Sequence, residues 1–210
     1  MYKISYRPIF VMLISFALAL IFVELLTRTV YPVPLVKEYG SNISDQYLPY
    51  KPKPLSRITG TAVSQEYEYN YEHNSFGFRD VEHTLRKDKG VFRILGLGDS
   101  FTYGVGVEIE QTYLFILETM LNDVSPERDK VEIVKAGIPR FYPHTQRILL
   151  EHYGRHYEPD LIIIGFAPND VIDTHYGLDA VVLDKSGYLK TRVANDMGEL
   201  GEFLYKNSHF

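Results

Sequence analysis

The 210-residue sequence contains no cysteine and no tryptophan. Without cysteine the chain cannot form a disulfide, bind zinc through thiolates, carry a lipid on a thiol or use a cysteine nucleophile. It also lacks a block of basic residues and has a formal net charge of −5, which argues against nucleic acid as the main partner. The hydrophobic fraction of 45% is enough for a folded core, and the length leaves room for a membrane segment and one domain.

A long apolar run stands near the N-terminus. Residues 9–23 contain no charge and one serine, and the run continues to a length that crosses a bilayer as a helix, roughly 17–20 residues. Lys3 and Arg7 precede it, so the positive-inside rule predicts a cytoplasmic N-terminus at 1–8 and a transmembrane anchor at 9–27. A cleaved signal peptide and a buried core helix are the alternatives. The small-x-small pattern lies inside the run rather than after it, which favours an uncleaved anchor.

The composition changes over residues 28–73, which we interpret as an extracytoplasmic linker and extended arm. Five prolines break any helix between 31 and 64, and the apolar residues lose their periodicity. This segment either lifts the following domain off the membrane or lies against its surface. Residues 67–71 alternate with period two and predict an edge strand or an extended arm, and residues 74–80 predict a turn.

From Val91 onward the pattern is α/β. Strands are predicted at 91–97, 131–134 and 161–164, and helices at about 110–122 and 144–157. Strands that alternate with helices predict a doubly wound parallel sheet with flanking helices.

The sequence also predicts which residues of these elements are buried and which elements follow the third strand. The strand at 161–164 is wholly apolar, as in strands buried within a parallel sheet. The predicted core face of the first helix consists of Tyr113, Ile116, Leu117, Met120 and Leu121. Residues 181–189 predict a hairpin, and 202–210 predict the start of a further helix.

The first strand leads into Gly98-Asp99-Ser100-Phe101-Thr102-Tyr103-Gly104. This places a serine hydroxyl on a tight turn at the carboxyl end of a buried strand, where open α/β sheets carry ligand sites. Gly98 and Gly104 allow a sharp turn, and Asp99 is expected to order it. A serine nucleophile needs a base and an oxyanion site, whereas the simpler interpretation is that Ser100 caps a turn. A dinucleotide-binding loop is disfavoured because Phe101 replaces the third glycine.

The segment 98–104 resembles the first motif of the SGNH (GDSL-type) hydrolases. Residues 165–171 (Gly-Phe-Ala-Pro-Asn-Asp-Val) resemble the family motif that ends in Asn-Asp, here Asn169 and Asp170. The resemblance covers roughly 74–175 and implies an SGNH/flavodoxin-like three-layer sandwich over 74–210. It further implies an acyl-serine mechanism in which Ser100 is the nucleophile and the Asn169 amide helps to hold the oxyanion, without a metal or an organic cofactor.

The segment after the second strand, 135–142, departs from the family pattern. Gly137 fits an earlier glycine of the motif, and Arg140 stands where the oxyanion glycine is expected. Since the family uses a backbone N–H at this point, Arg140 can replace the glycine if its torsion angles suit a residue with a side chain.

The general base is missing from its usual place. SGNH hydrolases carry Asp-x-x-His near the C-terminus, and no such spacing occurs after Asn169. Asp80 and His83 have the spacing but precede the serine strand, so we interpret them as coincidence, and His175 is the candidate base. Either the chain is a C-terminally truncated copy of a longer enzyme, or the domain has lost catalysis.

These observations predict a membrane-anchored, extracytoplasmic serine esterase or acyltransferase that acts on ester bonds. The expected partners are the membrane and an acyl-ester substrate, with O-acyl groups of cell-surface polysaccharide as the candidate. The hypothesis from a different class is a non-catalytic, membrane-tethered protein that binds carbohydrate or supports assembly.

Overall fold

The computed structural model describes residues 6–30, 42–61, 66–124, 130–177, 181–183 and 189–191. In chain order its helices and strands are α1 (Arg7–Val30), β1 (Asn42–Ile43), β2 (Lys51–Pro52), β3 (Arg57–Thr61), β4 (Glu68–Glu72), β5 (Val91–Gly98), α2 (Ser100–Tyr103), α3 (Tyr113–Val124), β6 (Lys130–Gly137), α4 (Pro143–His152), β7 (Leu161–Gly165), α5 (Asn169–Tyr176), β8 (Val181–Leu183) and β9 (Leu189–Thr191). Short 3-10 helices occupy Ile109–Gln111 and Gly154–Tyr157. Strands β8 and β9 form the predicted hairpin. The predicted helix start at 202–210 lies outside the described residues.

The chain divides into two compact units, of which the larger spans Lys37–Val193. The described part of the other unit is α1, whose segment Arg7–Thr27 comprises 21 residues and has no part buried within the chain. At 1.5 Å per residue this segment is about 31 Å long, which matches the hydrocarbon thickness of a bilayer. The chain therefore has an N-terminal helix that is long and apolar enough to span a membrane.

The larger unit contains a three-stranded parallel sheet in the order β6-β5-β7. All three predicted strands are present, and the two longer ones extend to eight residues each. Alternate residues of a strand point to opposite faces of the sheet, and here both faces carry apolar side chains. Helices therefore pack against both faces. Ile94 of β5 packs with Leu114 of α3, whereas Leu95 and Leu97 share a cluster with Leu149 of α4. The protein is thus a mixed α/β structure with an apolar N-terminal helix.

The predicted core face of α3 is wrong, because a different side of the helix faces the sheet. Leu114 is fully buried and Leu117 packs partly against the sheet, so the sheet-facing stripe runs through these two positions. The other predicted core residues are exposed by 38–57%: Tyr113, Ile116, Met120 and Leu121. Because the helix is apolar on more than one side, its sequence alone did not indicate which side meets the sheet.

The strand β7 is more exposed than its sequence predicted. Leu161, Ile162 and Ile164 have exposed fractions of 46%, 39% and 58%. β7 lies at the edge of the three-stranded sheet, and the described core clusters centre on β5 and β6. An all-apolar strand therefore predicted the correct element but not its burial.

The described part of the predicted linker packs against the domain. Leu48 and Tyr50 are buried in the main hydrophobic core together with Phe78. The Tyr153 hydroxyl donates to Asp45 over 2.6 Å. Strands β3 and β4 pair antiparallel, which agrees with the extended arm predicted at 67–71. The boundary predicted between residues 73 and 74 therefore falls inside a compact unit.

Polar side chains cover the free edge of β6. Three alternate N–H groups point away from β5, and each donates to a side-chain oxygen. The pairs are Val131 with Asn122 (2.9 Å), Ile133 with Glu118 (3.2 Å) and Lys135 with Asp80 (2.8 Å). Such pairing satisfies the backbone and blocks the addition of another strand. Asp80 also bonds His83 Nε2 over 2.8 Å, so the Asp80-x-x-His83 spacing belongs to this structural network.

A buried arginine joins β5 to β6. Arg93 is 1% exposed and donates from Nε and Nη2 to Glu132 over 2.7 and 2.6 Å. Its Nη1 donates to the carbonyl oxygens of Thr84 and Tyr157. Burial tends to raise the pKa of Glu132, but the bonds from Arg93, aided by His83, hold it below its ordinary value.

We expect Arg93→Met to lower the free energy of unfolding by about 3 kcal/mol, because Glu132 and the carbonyl oxygens lose their donor. The depressed pKa of Glu132 contributes stability above the ordinary value of 4.5, and that contribution is lost as the pH falls through the folded-state pKa. In the variant the Glu132 carboxyl lacks the Arg93 donors, so this acid-dependent loss should shrink, and the stabilities of the two proteins should converge as the pH falls below 4.5. Urea unfolding at several pH values measures both effects. Arg147→Met, at an exposed pair with Glu151, should change stability by less than about 0.5 kcal/mol.

Candidate functional site

Three glycines stand side by side at the carboxyl ends of the parallel strands. Gly98 is paired in register with Gly137 on one side and Gly165 on the other. The short helix α2 lies directly on this row. A Cβ atom on Gly137 would be 2.5 Å from the Tyr103 nitrogen, and one on Gly98 or Gly165 would collide with Thr102 Oγ1. The glycine row therefore lets α2 pack on the bare backbone of the sheet.

The serine begins α2, as the motif predicted. Ser100 is half-buried, and the residue before it, Asp99, is fully buried. Asp99 Oδ1 accepts the N–H of Phe101 over 2.9 Å and so caps the helix. Gly104 ends the helix in the left-handed region with φ 81°. Asp99 and Gly104 thus define the two ends of the turn that presents Ser100.

Asn169 lies at the same edge of the sheet as the serine turn. It is the first residue of α5, four residues after β7 ends. Its Nδ2 donates to Asp99 Oδ2 over 2.8 Å, and a second contact, to Asp173 Oδ2, is long at 3.4 Å. The structure therefore brings together the serine and asparagine motifs, with Asp99 as the residue that joins them.

Asp170 is a fully buried carboxyl group next to this contact. Its Oδ2 accepts the N–H of Ala167 over 2.7 Å, and its Oδ1 has no partner among the described residues. Burial raises the pKa of Asp170, and the charges of Asp99 and Asp173 raise it further, against the opposing effect of the Ala167 bond. No group of three or more His, Asp or Glu side chains in the described part of the chain is arranged to hold a metal ion.

Arg140 has a left-handed backbone conformation, which favours glycine rather than a residue with a side chain. Ile138 to Phe141 form a tight turn, closed by the Phe141 N–H to the Ile138 carbonyl oxygen over 3.0 Å. Pro139 is the second residue of this turn, and Arg140 is the third, with φ 66°. Positive φ at that position is the mark of a type II turn and normally selects glycine. The Arg140 N–H has no backbone or side-chain acceptor among the described residues.

His175, the candidate base, lies in the last turn of α5 and is exposed. It follows Asn169 by six residues, which is about 9 Å along the helix and roughly 240° around it. Asp173, by contrast, is one helical turn from Asn169 and contacts it. The helix therefore directs His175 to a different side from the Asn169 amide.

The sequence did not predict that the arm touches the serine helix. Tyr103 of α2 shares a hydrogen bond of 2.8 Å with His73 Nε2, and His73 Nδ1 lies 3.0 Å from Ser56 Oγ. Burial, with a smaller effect from Arg79, lowers the pKa of His73 to about 4, so the ring is neutral at pH 7. The period-two alternation of the arm was the available signal, since it indicates one buried face.

Apolar side chains surround the carboxyl edge of the sheet. Phe101 next to Ser100 is 70% exposed, and Phe166, Val171 and Ile172 on either side of Asn169 are exposed by 58–63%. A separate groove of about 410 Å³ is lined by Asn70, Glu72, Arg79, Asp80, Val81, Glu108, Ile109 and Glu110. Neither Ser100 nor Asn169 lines that groove, so the candidate site is defined by the motif residues and not by the groove.

We expect Gly137→Ala to lower the free energy of unfolding by about 2–3 kcal/mol, because the new methyl group meets the backbone of α2 rather than a movable side chain. Denaturant unfolding followed by circular dichroism measures the change. Ala136→Gly, at the preceding position, should cost about 1 kcal/mol. A Gly137→Ala protein as stable as the wild type would mean that α2 does not rest on the glycine row.

Asn169→Asp should lower the free energy of unfolding by about 2 kcal/mol at pH 7, since a donor to Asp99 becomes a like charge. The neighbouring charges raise the folded-state pKa of the new carboxyl, so this loss should shrink as the pH falls toward the unfolded value of about 3.9. Unfolding midpoints at pH 7 and pH 4 test this. Asn70→Asp is the control, because Asn70 Oδ1 already accepts from Arg57. A loss of equal size at both pH values would contradict the charge contact.

Comparison of the chain with protein-family models and with curated protein sequences found no match. Sequence motifs and the geometry of the carboxyl edge therefore carry the functional argument.

Proposed function

We propose that the Lys37–Val193 unit is an SGNH-type serine esterase or acyltransferase domain that acts on ester-linked acyl groups. The observation that carries the proposal is the meeting of the serine and asparagine motifs through the 2.8 Å bond from Asn169 to Asp99. These motifs are 70 residues apart in sequence, and their contact is what a shared active site requires. The Arg140 turn follows the neighbouring strand, β6, at the same edge.

The topology supports the same assignment. The chain passes from β5 to β6 on one side and then to β7 on the other side of β5. In open α/β sheets the ligand crevice forms where the strand order reverses, outside the carboxyl ends of the strands. Ser100 stands at that point. We therefore propose that the domain is a doubly wound, flavodoxin-like three-layer sandwich of the SGNH type.

In the proposed reaction the Ser100 hydroxyl oxygen attacks the ester carbonyl carbon. A new C–O bond forms, the carbonyl oxygen becomes an oxyanion, and the hydroxyl proton passes to a base. The N–H groups of Ser100 and Arg140 would hold the oxyanion. Collapse breaks the C–O bond to the leaving alkoxide, which takes that proton from the base and departs as the alcohol. Water or an acceptor hydroxyl then attacks the acyl-serine, and its proton passes to the Ser100 oxygen as the acyl group leaves.

The two contacts of the Asn169 amide suit an oxyanion donor. The short bond to Asp99 orients the amide, whereas the 3.4 Å contact to Asp173 is weak. A substrate oxyanion would replace the weak contact at little cost and keep the short one. Asp99 then acts by positioning the amide, not by taking a proton.

We further propose that α1 anchors the domain to a membrane, with the N-terminus in the cytoplasm and the domain outside it. The length and apolar composition of α1 support the anchor, and Lys3 and Arg7, which precede its apolar run, support the orientation. His175, the candidate base of the sequence, is directed by α5 to a different side from the Asn169 amide, so we assign no base in the proposed reaction. O-acyl groups of polysaccharide remain the candidate substrate. Loss of a triad member commonly costs ~10⁴-fold in rate, so a chain without an effective base would react slowly.

A fluorophosphonate probe tests the proposal, because it reports the nucleophile even when turnover is slow. The full-length protein in detergent should become labelled, and Ser100→Ala should abolish the label because it removes the attacking oxygen. Ser75→Ala is the control, since Ser75 is an exposed serine held by Glu82. Circular dichroism must show each sample to be folded. A folded wild-type protein that takes no label would overturn the enzyme assignment and favour the binding protein.

A further inference from the structure

Tyr50, in the arm, reaches the turn that contains Arg140. The side chain is 2% exposed, and its hydroxyl donates to the Pro139 carbonyl oxygen over 2.7 Å. Its ring also meets Phe141 edge to face, with centroids 5.5 Å apart. Tyr50 is thus in contact with both the backbone and a side chain of the 138–141 turn, from 89 residues earlier in the chain.

The Pro139 carbonyl and the Arg140 N–H belong to one peptide group. A trans peptide is planar, so its C=O and N–H bonds point in opposite directions. The hydroxyl of Tyr50 holds the oxygen toward the buried core. The Arg140 N–H must therefore point away from the core, and it has no acceptor among the described residues.

The orientation of this peptide needs support. Type I and type II turns differ mainly by a flip of the central peptide, and only type II demands positive φ at the third residue. Arg140 adopts φ 66° although it carries a side chain, which disfavours the observed form. The bond from Tyr50 favours it, because the flipped peptide would turn its oxygen away from the hydroxyl.

We infer that Tyr50 is a positioning residue for the oxyanion site. Its hydroxyl holds the Pro139–Arg140 peptide with the N–H directed outward, and so takes over the part that glycine plays in the family motif. The inference rests on the proposed function, since the N–H matters for catalysis only if Ser100 forms an oxyanion. The competing explanation is that Tyr50 merely fills the core beside Phe141.

Tyr50→Phe separates these explanations, because it keeps the ring and removes the hydroxyl. With p-nitrophenyl acetate as substrate, kcat should fall about tenfold, roughly the effect of one ordinary hydrogen bond, while KM changes little. In an Arg140→Gly background the same change should cost only about twofold, because glycine accepts positive φ without help. Tyr157→Phe is the matched control, a buried tyrosine of the same core, and should leave kcat unchanged. An equal fall of kcat in both backgrounds, or no fall, overturns the inference.

A second measurement does not depend on activity. Pro139-Arg140 is the only Pro-Arg pair in the sequence, so ¹³C-carbonyl proline combined with ¹⁵N-arginine gives one amide signal in an NMR spectrum of the full chain. Tyr50→Phe should shift or broaden this signal, and Tyr157→Phe should not. An unchanged signal in Tyr50→Phe overturns the inference. If the signal changes but the wild type neither hydrolyses ester nor takes the probe, Tyr50 holds the peptide and the proposed function has failed.

Discussion

The packing of a four-residue helix on three glycines is the contact on which the rest of the candidate site depends. Gly98, Gly137 and Gly165 leave no side chains at the carboxyl edge of the sheet, so α2 can lie against the strand backbones. That closeness brings Asp99 under the helix, where its carboxylate can cap α2 and reach across to Asn169. A wider separation would leave the serine turn and the asparagine loop as independent surface features. Glycine occupies these three positions because a side chain there would collide with α2, and not because the backbone needs the flexibility of glycine.

The electrostatics of the edge set a condition on any chemistry there. Three carboxyl groups lie close together, and the pKa of Asp170 is raised chiefly by burial and then by the other two charges. Negative charge near Ser100 opposes the formation of an oxyanion, so the site must supply N–H donors that face the reacting oxygen. The amide of Asn169 donates to Asp99 and contacts Asp173, and a proton on Asp170 would weaken the opposing field. In the proposed reaction the Arg140 N–H would be a donor for which no acceptor among the described residues competes.

Local patterns predicted the elements, and contacts between distant residues decided how they are used. The strands, the serine turn and the arm strand follow from apolar runs, glycines and period-two alternation, all of which act within a few residues. The burial of α3 and β7 could not be predicted in this way, because both are apolar on more than one side. The conformation of Arg140 depends both on local sequence and on a distant contact. The motif indicated that a glycine is expected at this position, whereas the contact that favours the left-handed turn comes from Tyr50, which bonds Pro139 across 89 positions of the chain.

The arm belongs to the site and not to the connection before it. It reaches α2 through His73 and the 138–141 turn through Tyr50, and the segment directly after it reaches the edge of β6 through Asp80. These are the three places where the motif-bearing loops would otherwise lack support. A domain cut at residue 74, where the family resemblance begins, would keep every motif residue and lose two of the three supports. Since the arm also follows α1 in the chain, the segment that leads from the apolar helix is the one that orders the candidate oxyanion site.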